Sequence, residues 1–253
     1  MTPILFSIGP YNAYTFGFFL GLAFLFSTFI IYLYAKEEFK EESYLDTYLY
    51  TGIIALFFSR LTYILTHPNE FGLNFLKYVV VRDTPGISLI GGGLGALAFL
   101  FLYCRKKKLD FIGLADIFSI AISSALFLAK IGEQLGGAAY GKNTLSAIGV
   151  RIIGLSGRYH PVELYESTLF LLLTIILIWL KSHITRKKWG KGLLFYIFIE
   201  CSALIYFIVE FFKVSRVYLY GLSIRQLFAI LIILSMVFPI IRKVREIRNT
   251  SIS

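Results

Sequence analysis

Charged side chains interrupt the apolar stretches of this sequence at positions suited to acid–base chemistry. Lys130 and Glu133 close one apolar stretch. Glu163 and Glu166 follow Pro161 closely, and a spacing of three residues places two side chains on a similar face of a helix. We interpret Glu163 as a charge that suits the first turn of a helix. A carboxylate can accept a proton and a lysine can bind a phosphate, so Lys130, Glu133 and Glu166 are candidate catalytic residues.

Other polar residues extend this candidate site. His160 directly precedes Pro161 and has Arg158 nearby, which makes it a candidate proton acceptor. Glu210 ends a later apolar stretch. The segment from Lys130 to Lys142 contains four glycines in 13 residues, so its backbone could approach a ligand closely.

The composition excludes a soluble domain. Hydrophobic residues make up 57% of the 253 residues and charged residues 16%, whereas soluble domains have about 45–50% and about 25%. The two cysteines lie in apolar stretches and do not suggest a disulfide framework. The net charge of +10 sits in short blocks between apolar stretches, which is typical of a membrane protein and not of a nucleic-acid-binding one.

Seven stretches are long enough to cross a hydrocarbon core of about 30 Å as helices. They lie at residues 11–35, 46–66, 86–104, 112–131, 161–180, 192–212 and 221–241. We therefore predict an all-α polytopic membrane protein with seven transmembrane helices, in which residues 1–253 form a single domain. Fifteen Lys and Arg residues fall in one set of loops and eight in the other, and the richer set should be cytoplasmic. This places the N-terminus outside and the C-terminus in the cytoplasm.

On this topology, most ionisable residues of the spans lie toward the outer side of the membrane. They are Arg60, Lys130, Glu133, Glu163, Glu166, Glu210 and Arg225. A single charge at a helix end can simply reach the lipid headgroups. Charges of both signs on five different spans favour a polar cavity that opens to the outer leaflet and receives an anionic phospholipid headgroup.

The chain resembles the bacterial prolipoprotein diacylglyceryl transferase family over nearly its whole length. His160-Pro-Val-Glu-Leu-Tyr-Glu166 is similar to the family motif His-Pro-x-x-Leu-Tyr-Glu, and the segment from Lys130 to Lys142 to its most diagnostic stretch. Further similarity lies at residues 4–10, 60–63, 86–92, 207–213 and 221–226. The resemblance implies seven helices and transfer of a diacylglyceryl group from phosphatidylglycerol to the lipobox cysteine thiol of a prolipoprotein.

The residues and the resemblance together define a predicted site. The predicted catalytic residues are Lys130, Glu133, His160, Glu166 and Glu210. The predicted substrate-binding residues are Arg60, Lys142, Arg158, Tyr165, Tyr206 and Lys213. The phosphate would be held by Lys130, Lys142 and Arg60, and a carboxylate or His160 would help to deprotonate the thiol.

Several positions depart from the family pattern. The family has a His where this chain has Ile90, an Asn at Glu133, a Glu at Ala138, an Arg at Tyr206 and a Tyr at Phe16. Lysines also stand at family arginine positions, which keeps the charge but loses the bidentate grip on a phosphate. These changes predict weak or absent transfer to a standard lipobox peptide.

Three functions therefore stay open from the sequence. They are the family reaction, a related lipid transfer to an amine or hydroxyl acceptor, and non-catalytic binding of a lipid or a partner in the membrane. The predicted partners are a phospholipid donor and a prolipoprotein signal peptide, without nucleic acid, and the predicted location is the bacterial inner membrane, as a multi-pass protein. Neither a cofactor nor a metal is expected, because the sequence has no His-x-x-x-His pattern and no cysteine cluster.

Overall fold

The computed structural model describes residues 3–9, 11–39, 43–68, 86, 88–137, 140–152, 155–187, 189–215 and 217–250. Some residues used in the sequence argument lie outside these ranges. They are Ala138, where the family has Glu, and the loop cations Lys40, Lys77, Arg82, Lys188 and Arg216.

Seven helices within the described residues are long and apolar enough to cross a membrane, which confirms the predicted all-α polytopic membrane protein. They are α1 (Thr15–Glu38), α2 (Ser43–Thr66), α3 (Leu89–Lys107), α4 (Phe111–Gly136), α5 (Val162–Lys187), α6 (Leu193–Glu210) and α7 (Ile224–Thr250). The shortest has 18 residues and the longest 27. At about 1.5 Å per residue, even the shortest approaches the thickness of a hydrocarbon core.

Two short hairpins correct the predicted starts of the first and last spans. Strand β1 (Ile4–Ile8) pairs antiparallel with β2 (Tyr11–Tyr14), so α1 begins at Thr15 and not at residue 11. Strand β3 (Val217–Leu219) pairs with β4 (Leu222–Ser223), and α7 begins after it. The turn between β3 and β4 has positive φ at both Tyr220 (47°) and Gly221 (80°), the conformation that closes a tight hairpin.

The chain divides into two compact units. One comprises Met1–Tyr34 and Ala115–Ser253, and the other Ala35–Leu114. In the second unit, α2 and α3 pack closely because small residues of α3 face α2. A Cβ added at Gly91 would collide with the side chain of Thr62, and one at Gly95 would lie 2.5 Å from Phe58 Cβ.

In the first unit, hydroxyl groups join α4 to α5. Ser167 Oγ donates to Phe127 O at 3.0 Å, and Ser123 Oγ donates to Phe170 O at 3.1 Å. Thr174 Oγ1 donates in turn to Ser123 Oγ at 2.9 Å. Small and hydroxylic residues serve this purpose in membranes, where apolar side chains gain little from leaving the lipid.

Asp116 fastens the start of α6 to α4. Its buried carboxylate accepts the backbone N–H of Gly192 at 2.6 Å and that of Phe195 at 2.9 Å. The first N–H groups of a helix have no partner within the helix and carry partial positive charge, so a carboxylate stabilises them. Asp116 thus has a structural role, away from the other intramembrane carboxylates.

The close approach of α2 and α3 predicts opposite effects for two neighbouring glycines. Gly91→Ala should destabilise the protein by about 1–3 kcal/mol, because the added methyl group overlaps Thr62. Gly93→Ala should be neutral or stabilising by up to about 1 kcal/mol, because nothing lies within 4 Å and alanine favours a helix. Thermal unfolding in detergent measures both, and equal losses would contradict the packing described.

Candidate functional site

Two lysines and three glutamates meet in one group at the end of the bundle where α4 and α6 end and α5 begins. This lysine–glutamate cluster consists of Lys130, Glu133, Glu163, Glu166 and Lys213. Lys130 Nζ lies 2.6 Å from Glu163 Oε2 and 2.9 Å from Glu166 Oε2, and also 2.7 Å from Glu133 Oε2. Lys213 Nζ lies 3.1 Å from Glu163 Oε1 and 2.6 Å from Glu166 Oε1. Each of the two α5 glutamates therefore bridges both lysines.

Local sequence explains why the α5 carboxylates point the same way. Pro161 stands just before the helix and sets its backbone angle for the first turn. Glu163 and Glu166 then occupy one face, three residues apart, close to the positive end of the helix dipole. On α4, Lys130 and Glu133 have the same spacing and pair with each other.

The glycine-rich segment brings Lys213 to this face. Gly141 and Lys213 form an antiparallel bridge, and Lys142 N donates to Phe212 O at 2.8 Å. Gly141 N also donates to His160 O at 2.9 Å. A Cβ on Gly141 would lie 2.5 Å from Phe212 O and 2.6 Å from Val162 Cγ1, so only glycine fits here. At Gly141, the close backbone approach serves contacts within the chain, and the approach to a ligand stays a prediction.

Burial differs among the members of the cluster. The Glu166 side chain is 1% exposed and that of Lys130 12%, whereas that of Glu133 is 29% exposed. If all five groups are ionised, the cluster carries one net negative charge. Glu133 is therefore the carboxylate that a substrate can reach most easily, and the lysines are already neutralised by their neighbours.

Tyr206 of α6 borders the cluster. Its half-buried ring packs edge to face on Phe170, with 5.7 Å between the ring centroids. Its phenol is close enough to Lys130 and Glu166 to interact with their charges. The predicted substrate-binding residue Tyr206 is thus next to the predicted catalytic ones.

His160 and Tyr165 form a neighbouring aromatic group. His160 Nδ1 lies 3.1 Å from Tyr165 Oη, and the His160 ring packs on Phe212 with 5.1 Å between centroids. Among the described residues, no hydrogen bond joins His160 to the lysine–glutamate cluster. His160 is connected to the cluster through backbone hydrogen bonds with Gly141 and Lys142.

Glu210 lies in a separate polar group. Its Oε1 accepts hydrogen bonds from Ser215 Oγ at 2.6 Å and Ser223 Oγ at 3.0 Å. Its Oε2 is 3.8 Å from Nη1 of the exposed Arg225. These contacts hold the β3–β4 hairpin to the end of α6. Among the described residues, the Glu210 carboxylate makes no hydrogen bond or ion pair with the lysine–glutamate cluster. The two are linked through the backbone, where Lys213 N donates to Glu210 O at 3.1 Å.

Three of the predicted substrate-binding cations make other contacts. Lys142 and Arg158 are exposed on adjoining segments, where His160 N donates to Lys142 O at 3.0 Å and Thr144 N donates to Arg158 O at 2.8 Å. Arg60 belongs to the unit Ala35–Leu114, and its Nη1 donates to Gly86 O at 3.0 Å.

Sequence reasoning left Glu163 out of the predicted site, although it binds both lysines. The sequence places Glu163 among the outer charges of the spans and interprets it as a charge that suits the helix dipole, without a role in catalysis or substrate binding. The available signal was its spacing from Glu166, because two carboxylates on one helical face can bind the same cations.

Comparison with known proteins gives one consistent result. A family model described as prolipoprotein diacylglyceryl transferase matches residues 3–242. A phosphatidylglycerol–prolipoprotein diacylglyceryl transferase 1 of Clostridium perfringens is 27% identical over 242 residues, which are 91% of this chain and 90% of the relative. Relatives with the same activity in their names are 30% identical in Rickettsia typhi, over 84% of each chain, and 29% identical in Ehrlichia ruminantium, over 76% of this chain and 77% of the relative.

Removing Lys130 should be much more damaging than removing Lys243, a half-buried lysine that pairs with one carboxylate. Lys130→Met leaves three carboxylates with one lysine, and breaking a buried pair in this way costs about 3–5 kcal/mol. Lys243→Met removes a lysine that pairs with the half-exposed Glu246, which should cost less than about 1 kcal/mol. Thermal unfolding of the two variants in the same detergent measures the difference. Similar losses would show that the buried pairs do not stabilise the fold.

Proposed function

The chain belongs to the prolipoprotein diacylglyceryl transferase family, and from this membership we propose that it transfers a diacylglyceryl group from phosphatidylglycerol to the cysteine thiol of a prolipoprotein. The observation that carries the proposal is the extent of the match, which covers residues 3–242 and 90% of the Clostridium perfringens relative. The protein is a multi-pass membrane protein. We place it in the bacterial inner membrane, with the lysine–glutamate cluster toward the outside.

The reaction needs a base for the thiol proton. The thiol sulfur forms a bond to the glyceryl carbon that carries the phosphate, and the C–O bond to the phosphate breaks. Glycerol phosphate leaves with that electron pair, and the thiol proton passes to the enzyme. We assign this proton to Glu133, because it is the most exposed carboxylate of the cluster and Lys130 holds it at 2.7 Å.

The charge balance of the cluster argues for a different phosphate site from the one predicted. Lys130 and Lys213 each bind at least two carboxylates, so an anion would have to displace a strong partner. Lys142 and Arg158 are exposed cations on paired segments near His160. We propose that these two bind the phosphate and that Lys130 positions the carboxylates.

A second candidate is transfer to an amine. The third carboxylate, Glu133, makes the cluster net negative, and a net negative site attracts an ammonium group. Glu133 would take the proton that the amine loses on transfer. Offering the purified protein a lipobox peptide and the same peptide with the cysteine replaced by a lysine distinguishes the two acceptors.

Glu133→Gln should abolish transfer, because glutamine cannot accept the proton. General-base assistance is worth about 10²–10⁴-fold in rate, and the loss should fall in that range. Glu246→Gln makes the same chemical change on an exposed residue and should leave the rate unchanged. The measurement is transfer of labelled diacylglycerol from phosphatidylglycerol to a lipobox peptide by purified protein.

Two further results would count against these assignments. Normal turnover of Glu133→Gln would exclude Glu133 as the base. Absence of turnover in the unmodified protein, together with failure to restore lipoprotein mass in a strain depleted of its own transferase, would contradict the proposed function itself.

The double variant Lys142→Ala/Arg158→Ala should weaken retention of anionic phospholipid about tenfold or more, because a hydrogen bond to a charged group contributes about 1.5–3 kcal/mol. Arg186→Ala/Lys187→Ala removes two exposed cations from the other end of α5 and serves as the matched control. Native mass spectrometry of lipid-bound protein measures both. Equal losses from the two variants would exclude a specific phosphate site at Lys142 and Arg158.

A further inference from the structure

One buried side chain near the cluster has no partner for either half of its amide. Gln134 is 3% exposed, and within the described residues neither its Nε2 nor its Oε1 makes a hydrogen bond. Buried amides are almost always paired, because an unpaired one loses its hydrogen bonds to water without replacement. Gln134 is four residues after Lys130, so it lies on the same face of α4, about 6 Å further along the helix.

The contacts of α4 with α5 give the level at which Gln134 lies. From the start of α4 to its end, the α5 partners lie progressively closer to the first turn of α5. Ser123 hydrogen-bonds to Phe170, Phe127 to Ser167, and Lys130 pairs with Glu163. The next turn of α4 is that of Gln134, and it corresponds to the residues just before α5. Gln134 is therefore placed between the lysine–glutamate cluster and the segment that carries His160.

A second buried glutamine shows how this fold satisfies an amide that is purely structural. Gln226 is also 3% exposed, and its Oε1 accepts from Ser223 N at 2.9 Å. Its Nε2 donates to Phe207 O at 3.3 Å. Gln226 thus links the β3–β4 hairpin to α6 with both halves of its amide. Gln134 is equally buried, but within the described residues neither half of its amide makes a hydrogen bond. This difference indicates that its partners come from outside the chain.

We propose that Gln134 binds the headgroup glycerol of the phosphatidylglycerol donor and selects for its two hydroxyl groups. This inference rests on the proposed function. An amide donates through nitrogen and accepts through oxygen, and a pair of neighbouring hydroxyls can accept one bond and donate the other. An ammonium headgroup only donates, and a bare phosphate only accepts, so either would leave half of the buried amide unpaired. The protein would thus select the headgroup because other headgroups leave one half of the buried amide without a hydrogen bond, which weakens their binding.

The test compares two lipids that differ only in the hydroxyls. Detergent-solubilised protein is offered phosphatidylglycerol and phosphatidyl-1-propanol with identical acyl chains, and native mass spectrometry measures the ratio of bound lipids. The unmodified protein should prefer phosphatidylglycerol by about tenfold or more. Gln134→Leu should bring the ratio close to one while the melting temperature stays equal or rises, because an unpaired amide is removed. Gln134→Met, with an unbranched side chain like glutamine, should do the same.

Gln226→Leu is the matched control, since it removes a buried amide whose partners lie within the chain. It should lower the melting temperature and leave the lipid ratio unchanged. If Gln134→Leu instead lowers the melting temperature as much and keeps the lipid ratio, Gln134 is structural and the inference is overturned.

Two other outcomes also decide the matter. If Gln134→Leu changes the KM for the lipobox peptide and leaves the lipid ratio unchanged, the amide binds the peptide. That result would overturn the proposed binding of the headgroup hydroxyls. The binding ratio does not depend on turnover. If the unmodified protein prefers phosphatidylglycerol and Gln134→Leu does not, while no diacylglycerol is transferred, the inference stands and the proposed reaction fails.

Discussion

The pairing of two half-buried lysines with three glutamates is the interaction on which the rest of the site depends. A charge taken out of water is costly unless it is paired, and here each α5 glutamate contacts both lysines. The cluster therefore joins α4, α5 and the chain after α6 at one level. Removing either lysine would leave three carboxylates with a single cation. Glu133 is the most exposed carboxylate of the cluster and contacts Lys130.

Lysine is suited to this arrangement in a way that the family arginine is not. An ammonium group has three donors that can point to three carboxylates, and Lys130 contacts Glu133, Glu163 and Glu166. A guanidinium group is a planar fork that favours paired contacts with one carboxylate or phosphate. The lysine at position 130 and the glutamate at position 133 therefore fit each other.

Close backbone contact makes the cluster possible. Lys213 follows α6, and it reaches the α5 carboxylates because the preceding Phe212 accepts a hydrogen bond from Lys142. That contact requires glycine at position 141, where any side chain would overlap the Phe212 carbonyl. The glycine-rich segment thus contributes to the site through the packing of the chain.

The sequence by itself determined the seven helices, because apolar length is a local property that each stretch carries alone. It also placed Glu163 and Glu166 on one face, because spacing within a helix fixes direction. Only the tertiary structure decided which charges meet. A backbone bridge between Gly141 and Lys213 brings Lys213 to Glu163, and Glu210 accepts hydrogen bonds from two serines. Such partners depend on which parts of the chain come together in space. The two hairpins were missed for the same reason, because strand pairing satisfies backbone groups that a single stretch leaves undecided.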